Sequence, residues 1–190
     1  MTPPPQPPRV REMTLADCGR VAEIRVRGWQ TAYRGLVPQS HLDALSVERD
    51  AEVRRTLLTR DAGRAVNLVA VGPPRPSGHG GKDGEILGWA CHGPYREGEV
   101  HTEDAELYAV YVAPGHWSAG VGQALLREST RRCAAAGHPR MLLWVLKENT
   151  RARRFYERAG FRPDGAEESF EVDGVAVPEV RYARSLTTVG

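Results

Sequence analysis

Two glycines, Gly120 and Gly122, lie where a predicted strand is followed by a predicted helix, and this arrangement can bind an anion. Residues 107–112 are β-branched, aromatic or apolar and are soon followed by a proline and a glycine, which predicts a strand. Small and apolar residues recur at helical spacing from Val121, and Gly137 is a stop signal. The first amides of such a helix have no carbonyl partner, and the helix dipole adds partial positive charge there. Because glycine has no Cβ, a phosphate could approach this backbone closely.

Three other kinds of segment share this order of strand, loop and helix. A nucleotide-hydrolysing P-loop requires a lysine at the start of the helix, and none follows Gly122. A dinucleotide-binding fingerprint requires a third glycine, and Leu125 stands in its place. A plain turn, with small residues for close packing, is the alternative that the loop alone leaves open.

The loop resembles the acetyl-CoA loop of the GNAT (general N-acetyltransferase) superfamily. The superfamily pattern, Q/R-x-x-G-x-G/A, falls on Trp117, Ser118, Ala119, Gly120, Val121 and Gly122. Trp117 departs from the usual Gln or Arg, and Ser118 stands where a glycine is common. The resemblance implies that backbone amides of this loop hold the pyrophosphate, so a changed side chain need not abolish binding.

A second segment, residues 149–161, resembles the same superfamily. Its pattern, N-x-x-A-x-x-F/L-Y-x-x-x-G-F, is matched by Asn149, Ala152, Phe155, Tyr156, Gly160 and Phe161. The apolar run 141–146 lies between the two patterns and predicts a strand that is covered on both faces and parallel to strand 107–112. The resemblance implies that Tyr156 protonates the leaving thiolate. It also implies that Asn149 contacts the pantetheine or braces the splayed strand, and that Phe155 packs into the core.

The resemblance further implies a set of contacts with acetyl-CoA, the acyl donor. In GNAT proteins the pantetheine arm binds the backbone of the first of two splayed strands, here at residues 110–112. An amide of that strand can polarise the thioester oxygen. The residues expected to contact acetyl-CoA are Val110, Tyr111, Val112, Trp117, Ser118, Ala119, Gly120, Val121, Gly122, Gln123, Asn149, Ala152, Phe155 and Tyr156. No metal ion is expected.

A carboxylate, Glu106, is the predicted catalytic base. It stands fourteen positions before Gly120, where the carboxylate of histone-type GNAT enzymes stands relative to their loop. An ammonium is not nucleophilic, so a nearby carboxylate must accept its proton directly or through water. Glu106 would also fit a solvated strand end or an electrostatic anchor for a cationic substrate, and these alternatives stay open.

Two aromatic residues, Trp29 and Tyr33, are candidates for contact with the acceptor. They lie between the first two predicted helices, a region that in GNAT proteins forms one wall of the acceptor pocket. Packing of the rings against the sheet is the alternative, and it suits Trp29 better than Tyr33. Family resemblance permits small amines, polyamines, amino-acid analogues, antibiotics and protein N-termini, so the acceptor is predicted only as a small-molecule amine or a peptide N-terminus.

The elements that must position these residues follow in a regular order. Strands are predicted at 9–12, 65–71 and 85–91, and helices begin at Thr14 and Ser46. Residues 93–104 are predicted to be irregular, and Asp173-Gly174 predicts a hairpin turn. With the resemblance, this order implies an α/β (α+β) GNAT fold. Its central sheet would be mixed, mostly antiparallel and twisted, with about seven strands, splayed between strands 4 and 5 and flanked by about four helices.

The composition limits the class of protein. A length of 190 residues predicts one domain, 9–190, behind a disordered proline-rich tail, 1–8. The net charge of +2, from 26 basic and 24 acidic residues, gives no argument for nucleic acid or a membrane as partner. Three cysteines at unrelated spacings fit neither a disulfide framework nor a zinc site, so a reducing, cytoplasmic compartment is expected. His79 has no companions at metal-ligand spacing and is expected to be solvated.

These inferences combine into an acetyl-CoA-dependent N-acetyltransferase that moves the acetyl group directly to a primary amine in a ternary complex. Direct transfer is preferred because Cys18 and Cys133 fall on apolar helix faces and Cys91 ends a strand, so none resembles an acyl carrier. A non-catalytic GNAT-like module that binds acyl-CoA or another ligand for regulation is the alternative. A nucleotide-dependent enzyme is a third class, weakened by the absent lysine and third glycine. Dimers are frequent in the family, so a homodimer is compatible with the sequence.

Overall fold

The computed structural model describes residues 7–60, 63–73, 84–97 and 100–187, which form one sheet with helices on both faces. The strands are β1 (Arg9–Glu12), β2 (Val66–Val71), β3 (Ile86–Glu97), β4 (Val100–Val112), β5 (Arg140–Leu146), β6 (Arg162–Val172) and β7 (Val175–Ser185). The helices are α1 (Cys18–Ala32), α2 (Gln39–Ala44), α3 (Val47–Arg60), α4 (Val121–Ala135) and α5 (Thr150–Arg158), with 3₁₀ turns at Leu15–Asp17 and Pro114–His116.

The sheet has seven strands in the order β1-β2-β3-β4-β5-β7-β6. Only β4 and β5 are parallel, and every other neighbouring pair is antiparallel. The predicted mixed, mostly antiparallel fold is therefore confirmed. The described residues include one helix that the sequence did not indicate, α2, which begins directly after Pro38 because proline is tolerated at the start of a helix.

The two parallel strands separate soon after they meet. Their register contains only two pairs, Ala105 with Met141 and Glu106 with Leu142, although both strands continue for several residues. Strands that remain paired would fill this space with ladder hydrogen bonds. The predicted splay between strands 4 and 5 is thus present, and it leaves backbone groups of β4 facing a gap.

The region before the splay corrects a prediction. Residues 93–104 were expected to be irregular, but residues 93–97 and 100–104 belong to two long strands, and β3 pairs with β4 from Gly88–Val112 to Glu97–Val100. The register shifts twice, between Cys91 and His92 and between Pro94 and Arg96. Bulges accommodate glycine, proline and charged residues that weaken the sequence signal for a strand, and they bend the hairpin.

The two faces of the sheet carry separate cores. On one face α4 and α5 pack over the sheet, and the fully buried side chains include Leu125, Met141 and Tyr182. On the other face α1 packs through Val21 and Ile24. A smaller cluster joins α2 to the C-terminal hairpin through the buried Leu42 and Val177. The site is therefore held between two packed layers.

Some predictions concern segments outside the described residues. These are the proline-rich tail over residues 1–6 and the solvated loop that contains His79. Within the described segments, no helix combines the length and the hydropathy that a membrane span requires.

Candidate active site

A cavity of about 560 Å³ occupies the gap between β4 and β5, and it is of the size usual for small-ligand sites. Its walls come from α1, both splayed strands, the loop before α4, α5 and β7. The lining residues are Gly28, Thr31, Ala32, Tyr33, Val110, Tyr111, Val112, His116, Trp117, Ser118, Gly120, Gly122, Gln123, Trp144, Val145, Leu146, Asn149, Arg151, Ala152, Phe155, Tyr156, Arg158 and Glu179.

The cavity brings together most of the residues that the two sequence patterns indicated. Every residue predicted to contact acetyl-CoA lines it except Ala119 and Val121. The Val121 side chain is instead buried in the core under α4. These residues span 46 positions of the sequence, from Val110 to Tyr156. The crossover through α4 and β5 brings them together.

The loop before α4 has the backbone shape of an anion cradle. Ser118 and Gly120 both have positive φ, 64° and 80°, and the first helical hydrogen bond runs from the Ala124 amide to the Gly120 carbonyl at 3.0 Å. The amides of residues 121–123 therefore have no carbonyl to bind within the helix. A Cβ added at Gly120 would meet nothing within 4 Å, so this backbone borders open space. Alternating backbone conformations with free amides form concavities that favour anions.

The second glycine of the loop has a different role. A Cβ at Gly122 would lie 3.3 Å from Phe155 and 3.5 Å from Val112. Such contacts are tight, so Gly122 allows α5 to pack closely on the start of α4. The interpretation of small residues for close packing is thus correct for this position, whereas Gly120 borders the cavity.

The unusual Trp117 is held by two neighbours. Its indole Nε1 donates to the Val112 carbonyl at 2.9 Å, and the Arg151 guanidinium lies 3.8 Å from the centre of its ring. A cation over an indole ring is attracted by the ring quadrupole. Where the superfamily pattern places a Gln or Arg in the loop, this chain brings a cation to the same place from the first turn of α5.

Replacing Ser118 with glycine should stabilise the protein. A left-handed conformation costs a non-glycine residue about 1–2 kcal/mol, and the added chain entropy of glycine offsets about 0.5–1 of this. We expect a net gain of about 0.5–1 kcal/mol and a Tm higher by roughly 1–4 °C. Thermal denaturation monitored by circular dichroism measures it. Ser118→Ala keeps the strained backbone, so an equal gain in that variant would show that the hydroxyl, not the backbone, was responsible.

The phenol of Tyr156 is buried at the inner wall of the cavity. The residue is only 9% exposed, and it packs between Phe155 and Phe161 with ring centroids 5.2 and 6.1 Å away. Burial, with a smaller effect of Tyr111, raises the pKa of the phenol above its usual range. Tyr156 therefore stays protonated at neutral pH and can act as a proton donor.

The start of α5 is fixed by Asn149. Its side-chain oxygen accepts a hydrogen bond from the Ala152 amide at 3.1 Å, which is the N-cap arrangement. The cap sets the position of the first turn of α5, including Arg151 beside the loop. Asn149 thus acts on the site through helix geometry as well as by lining the cavity.

Three aromatic side chains form the wall on the α1 side. The indole of Trp29 donates to the Tyr111 hydroxyl at 2.8 Å, and Trp29 contacts Tyr33 edge to face at 4.8 Å. Burial, followed by the proximity of Tyr111, raises the pKa of Tyr33 well above its usual value. Tyr33 lines the cavity and Trp29 stands behind it. Gly28 allows α1 to approach, since a Cβ there would lie 3.2 Å from Tyr111.

The predicted base, Glu106, lies beside the cavity and does not line it. It occupies the last pair of the parallel register, opposite Leu142. Burial, helped by the negative charges of Glu168 and Glu179 and opposed by Arg181, raises the pKa of Glu106 to about 7.

Sequence reasoning missed a second carboxylate, Glu179 on β7. It lines the cavity, and burial together with the charge of Glu168 raises its pKa to about 7. The sequence gives no clear signal for it, because Val177 and Val180 are both buried and lie on opposite faces of the strand. In the structure Glu179 shares the face of Val177. A carboxylate on an inward face is uncommon enough to suggest function.

A metal does not account for these carboxylates. The described part of the chain contains no group of three or more His, Cys, Asp or Glu side chains that could hold a metal ion. The site is instead a set of backbone amides, aromatic side chains and carboxylates around an open gap.

Comparison with known proteins identifies relatives over most of the chain. The family model for GNAT-family acetyltransferases matches residues 41–161. A Bacillus subtilis protein named as an uncharacterized N-acetyltransferase, YuaI, is 29% identical over 172 residues, which cover 90% of this chain and 89% of that protein.

Solved structures show the same fold. PaiA N-acetyltransferase from Thermoplasma acidophilum, in complex with coenzyme A, has a TM-score of 0.68 at 16% identity, with 95% of this chain and 99% of that chain covered. A phosphinothricin acetyltransferase from Sinorhizobium meliloti, in complex with acetyl-CoA, also has a TM-score of 0.68, at 18% identity, covering 95% of this chain and 89% of that chain. The family match spans well over half of the chain and includes the anion cradle and α5. The chain therefore belongs to the GNAT family and is an acetyltransferase.

Proposed function

We propose that the protein transfers an acetyl group directly from acetyl-CoA to the primary amine of a small molecule or of a peptide N-terminus. The observation that supports this most is the single cavity in which the cradle at Gly120, the splayed strand β4 and the buried Tyr156 meet. Acyl transfer requires these parts together, because orientation of two bound reactants provides a large share of the rate.

The residues fit acetyl-CoA as donor. The free amides of residues 121–123 and the open space at Gly120 suit the diphosphate, and Arg151 lies near enough to add positive charge. When bound, acetyl-CoA supplies a thioester. The Val112 carbonyl already accepts a hydrogen bond from Trp117, so we expect the backbone of Val110 and Tyr111 to bind the pantetheine arm.

Tyr156 is proposed to donate its proton to the departing sulfur. Its raised pKa keeps it protonated at neutral pH, so the hydroxyl is available to hydrogen-bond the sulfur and to pass its proton as the C–S bond breaks. A carboxylate near the inner end of the cavity is proposed to accept the proton of the acceptor ammonium, directly or through water. Glu106 and Glu179 are the two candidates, since each has a pKa raised to about 7, and only Glu179 lines the cavity.

Direct transfer is favoured over a cysteine-bound acyl group. The three cysteines form no disulfide bond, and none of them lines the cavity. Burial raises the pKa of Cys133 to about 12, so its thiolate is rare at neutral pH. A single domain, a cytoplasmic location and a homodimer remain parts of the proposal that rest on sequence and family resemblance.

The acceptor is expected to be a cationic amine without an anionic group near the nitrogen. Two carboxylates border the inner cavity, and the nearby Arg181 is already bound by Asp164 at 2.7 Å and by the Tyr95 hydroxyl at 2.8 Å. An acceptor carboxylate placed beside Glu106 and Glu179 would therefore meet like charge. We expect kcat/KM for diamines and polyamines to exceed that for α-amino acids and phosphinothricin by at least tenfold.

A thiol-release assay with acetyl-CoA and a panel of these amines tests both points. Thermal-shift measurements should show stabilisation by acetyl-CoA and none by NAD or ATP. Absence of thiol release with every amine and of stabilisation by acetyl-CoA would contradict acetyl transfer. A preference for acidic amino acids would contradict only the expected acceptor class.

A further inference from the structure

We propose that Glu179, and not Glu106, is the residue that takes the proton from the acceptor ammonium. This inference rests on the proposed acetyl transfer and assigns one of its catalytic residues. It is carried by the position of Glu179 in the open part of the splayed sheet.

The register of β5 places the two carboxylates at different depths. Glu106 is opposite Leu142, where β4 and β5 are still paired, whereas Glu179 is opposite Leu146. Four residues of strand span about 13 Å. Trp144, Val145 and Leu146, at the end of β5, line the cavity, whereas Leu142 does not. Glu179 is therefore level with the gap, and Glu106 lies at its closed end.

The carboxylate of Glu179 is available to a ligand. No hydrogen bond or ion pair in the described part of the chain involves it, and it lines the cavity together with Tyr33 and Tyr156. Glu106 likewise has no such partner among these residues, but it does not line the cavity.

The charged groups around Glu179 are either negative or already paired. Facing it are Glu106 from β4, Glu168 from β6 and the phenol of Tyr33 from α1. The cation of Arg181 on β7 is bound to Asp164, and that of Lys147, after β5, is bound to Glu167. The negative charge of Glu179 contributes to the raised pKa of Glu106, so ionisation of one of these carboxyls disfavours ionisation of the other.

The proposed transfer conserves protons and electron pairs. One proton of the ammonium passes to the Glu179 carboxylate, and the freed electron pair of nitrogen forms the C–N bond to the acetyl carbon. The C–S bond breaks, and its electron pair leaves with sulfur, which takes the proton of Tyr156. A second nitrogen proton is lost as the amide forms and replaces that of Tyr156. The proton on Glu179 returns to solvent, so one proton is released for each acetyl group transferred from acetyl-CoA to an ammonium.

The test compares Glu179→Gln with Glu106→Gln in the full chain, with Glu171→Gln as a control at an exposed position of β6. Thiol release from acetyl-CoA is measured with an amine found active for the wild type, from pH 5.5 to 9, with calorimetry of acetyl-CoA binding. The wild-type rate should rise through about pH 7, because a carboxyl with a raised pKa cannot accept a proton below it. We expect Glu179→Gln to lower kcat about 100-fold and to remove this rising limb of the pH–rate profile. The affinity for acetyl-CoA should not change.

Glu106→Gln should keep kcat within about threefold and keep the limb near pH 7, and the Glu171→Gln control should match the wild type. The proposal is overturned if Glu106→Gln abolishes turnover while Glu179→Gln only moves the limb to lower pH, as loss of a neighbouring negative charge would do. It is also overturned if Glu179→Gln weakens acetyl-CoA binding as much as it lowers turnover. Failure of the proposed acetyl transfer is a separate result, because the wild type would then release no thiol with any amine.

Discussion

Replacing Tyr156 with phenylalanine is expected to lower kcat by about 100-fold and to leave the affinity for acetyl-CoA nearly unchanged. The substitution removes one oxygen from a buried ring that packs between Phe155 and Phe161, so the apolar contacts remain. What is lost is the proton donor for the departing sulfur. General acid catalysis typically contributes 10²–10⁴-fold to the rate, and the expected loss of about 100-fold is the lower end of this range. Steady-state thiol release gives kcat, and calorimetry gives the affinity.

A matched control is available in Tyr182→Phe. This tyrosine is also fully buried, and its hydroxyl contacts α5 through Arg153 and Glu157 at 3.0 and 2.8 Å, but it does not line the cavity. We expect it to lose about 1 kcal/mol of stability through lost hydrogen bonds and to retain its kcat. Equal kcat losses in the two variants would show that the effect of Tyr156→Phe is structural.

Replacing Gly120 with aspartate is expected to weaken acetyl-CoA binding by about 100-fold. The added carboxylate would point into the open space of the cradle, where nothing lies within 4 Å of the Cβ position. A negative charge about 5 Å from a phosphate costs about 3 kcal/mol at an effective dielectric constant near 20, which corresponds to about 100-fold in Kd. Calorimetry at two salt concentrations measures the loss, and screening should make it smaller at high salt.

The control for charge is Gly120→Asn. Asparagine and aspartate have nearly the same size, and both tolerate the left-handed backbone that Gly120 adopts with φ of 80°. The neutral variant should therefore bind acetyl-CoA within about fivefold of the wild type. If both variants lose binding equally, bulk and not charge disturbs this loop, and the cradle does not hold a diphosphate.

Local patterns predicted the parts of this site that depend on backbone geometry. The helix start at Val121 and the short helix around Tyr156 follow from residue types within a few positions, and both are present. The parallel arrangement of β4 and β5 follows from the handed crossover between them. The fold class and the family could therefore be predicted from the sequence.

Side-chain direction on long strands could not be predicted in the same way. A bulge shifts the register of β4 against β3 between Leu107 and Ala109, so an alternation counted from residues 107–112 does not extend to Glu106. Glu179 was missed because Pro178 interrupts the sequence signal of its strand, which the pairing with β5 nevertheless maintains. Register is a property of several strands together, and only the assembled sheet shows which carboxylate enters the gap.

The contact between Trp117 and Arg151 joins two elements that are far apart in sequence. The indole belongs to the loop that borders the diphosphate cradle, and the guanidinium belongs to the first turn of the helix that carries Tyr156. A donor that orders this loop would also restrain the helix from which the phenol projects. Binding of acetyl-CoA in the cradle is therefore expected to steady the proton donor at the other end of the site as well.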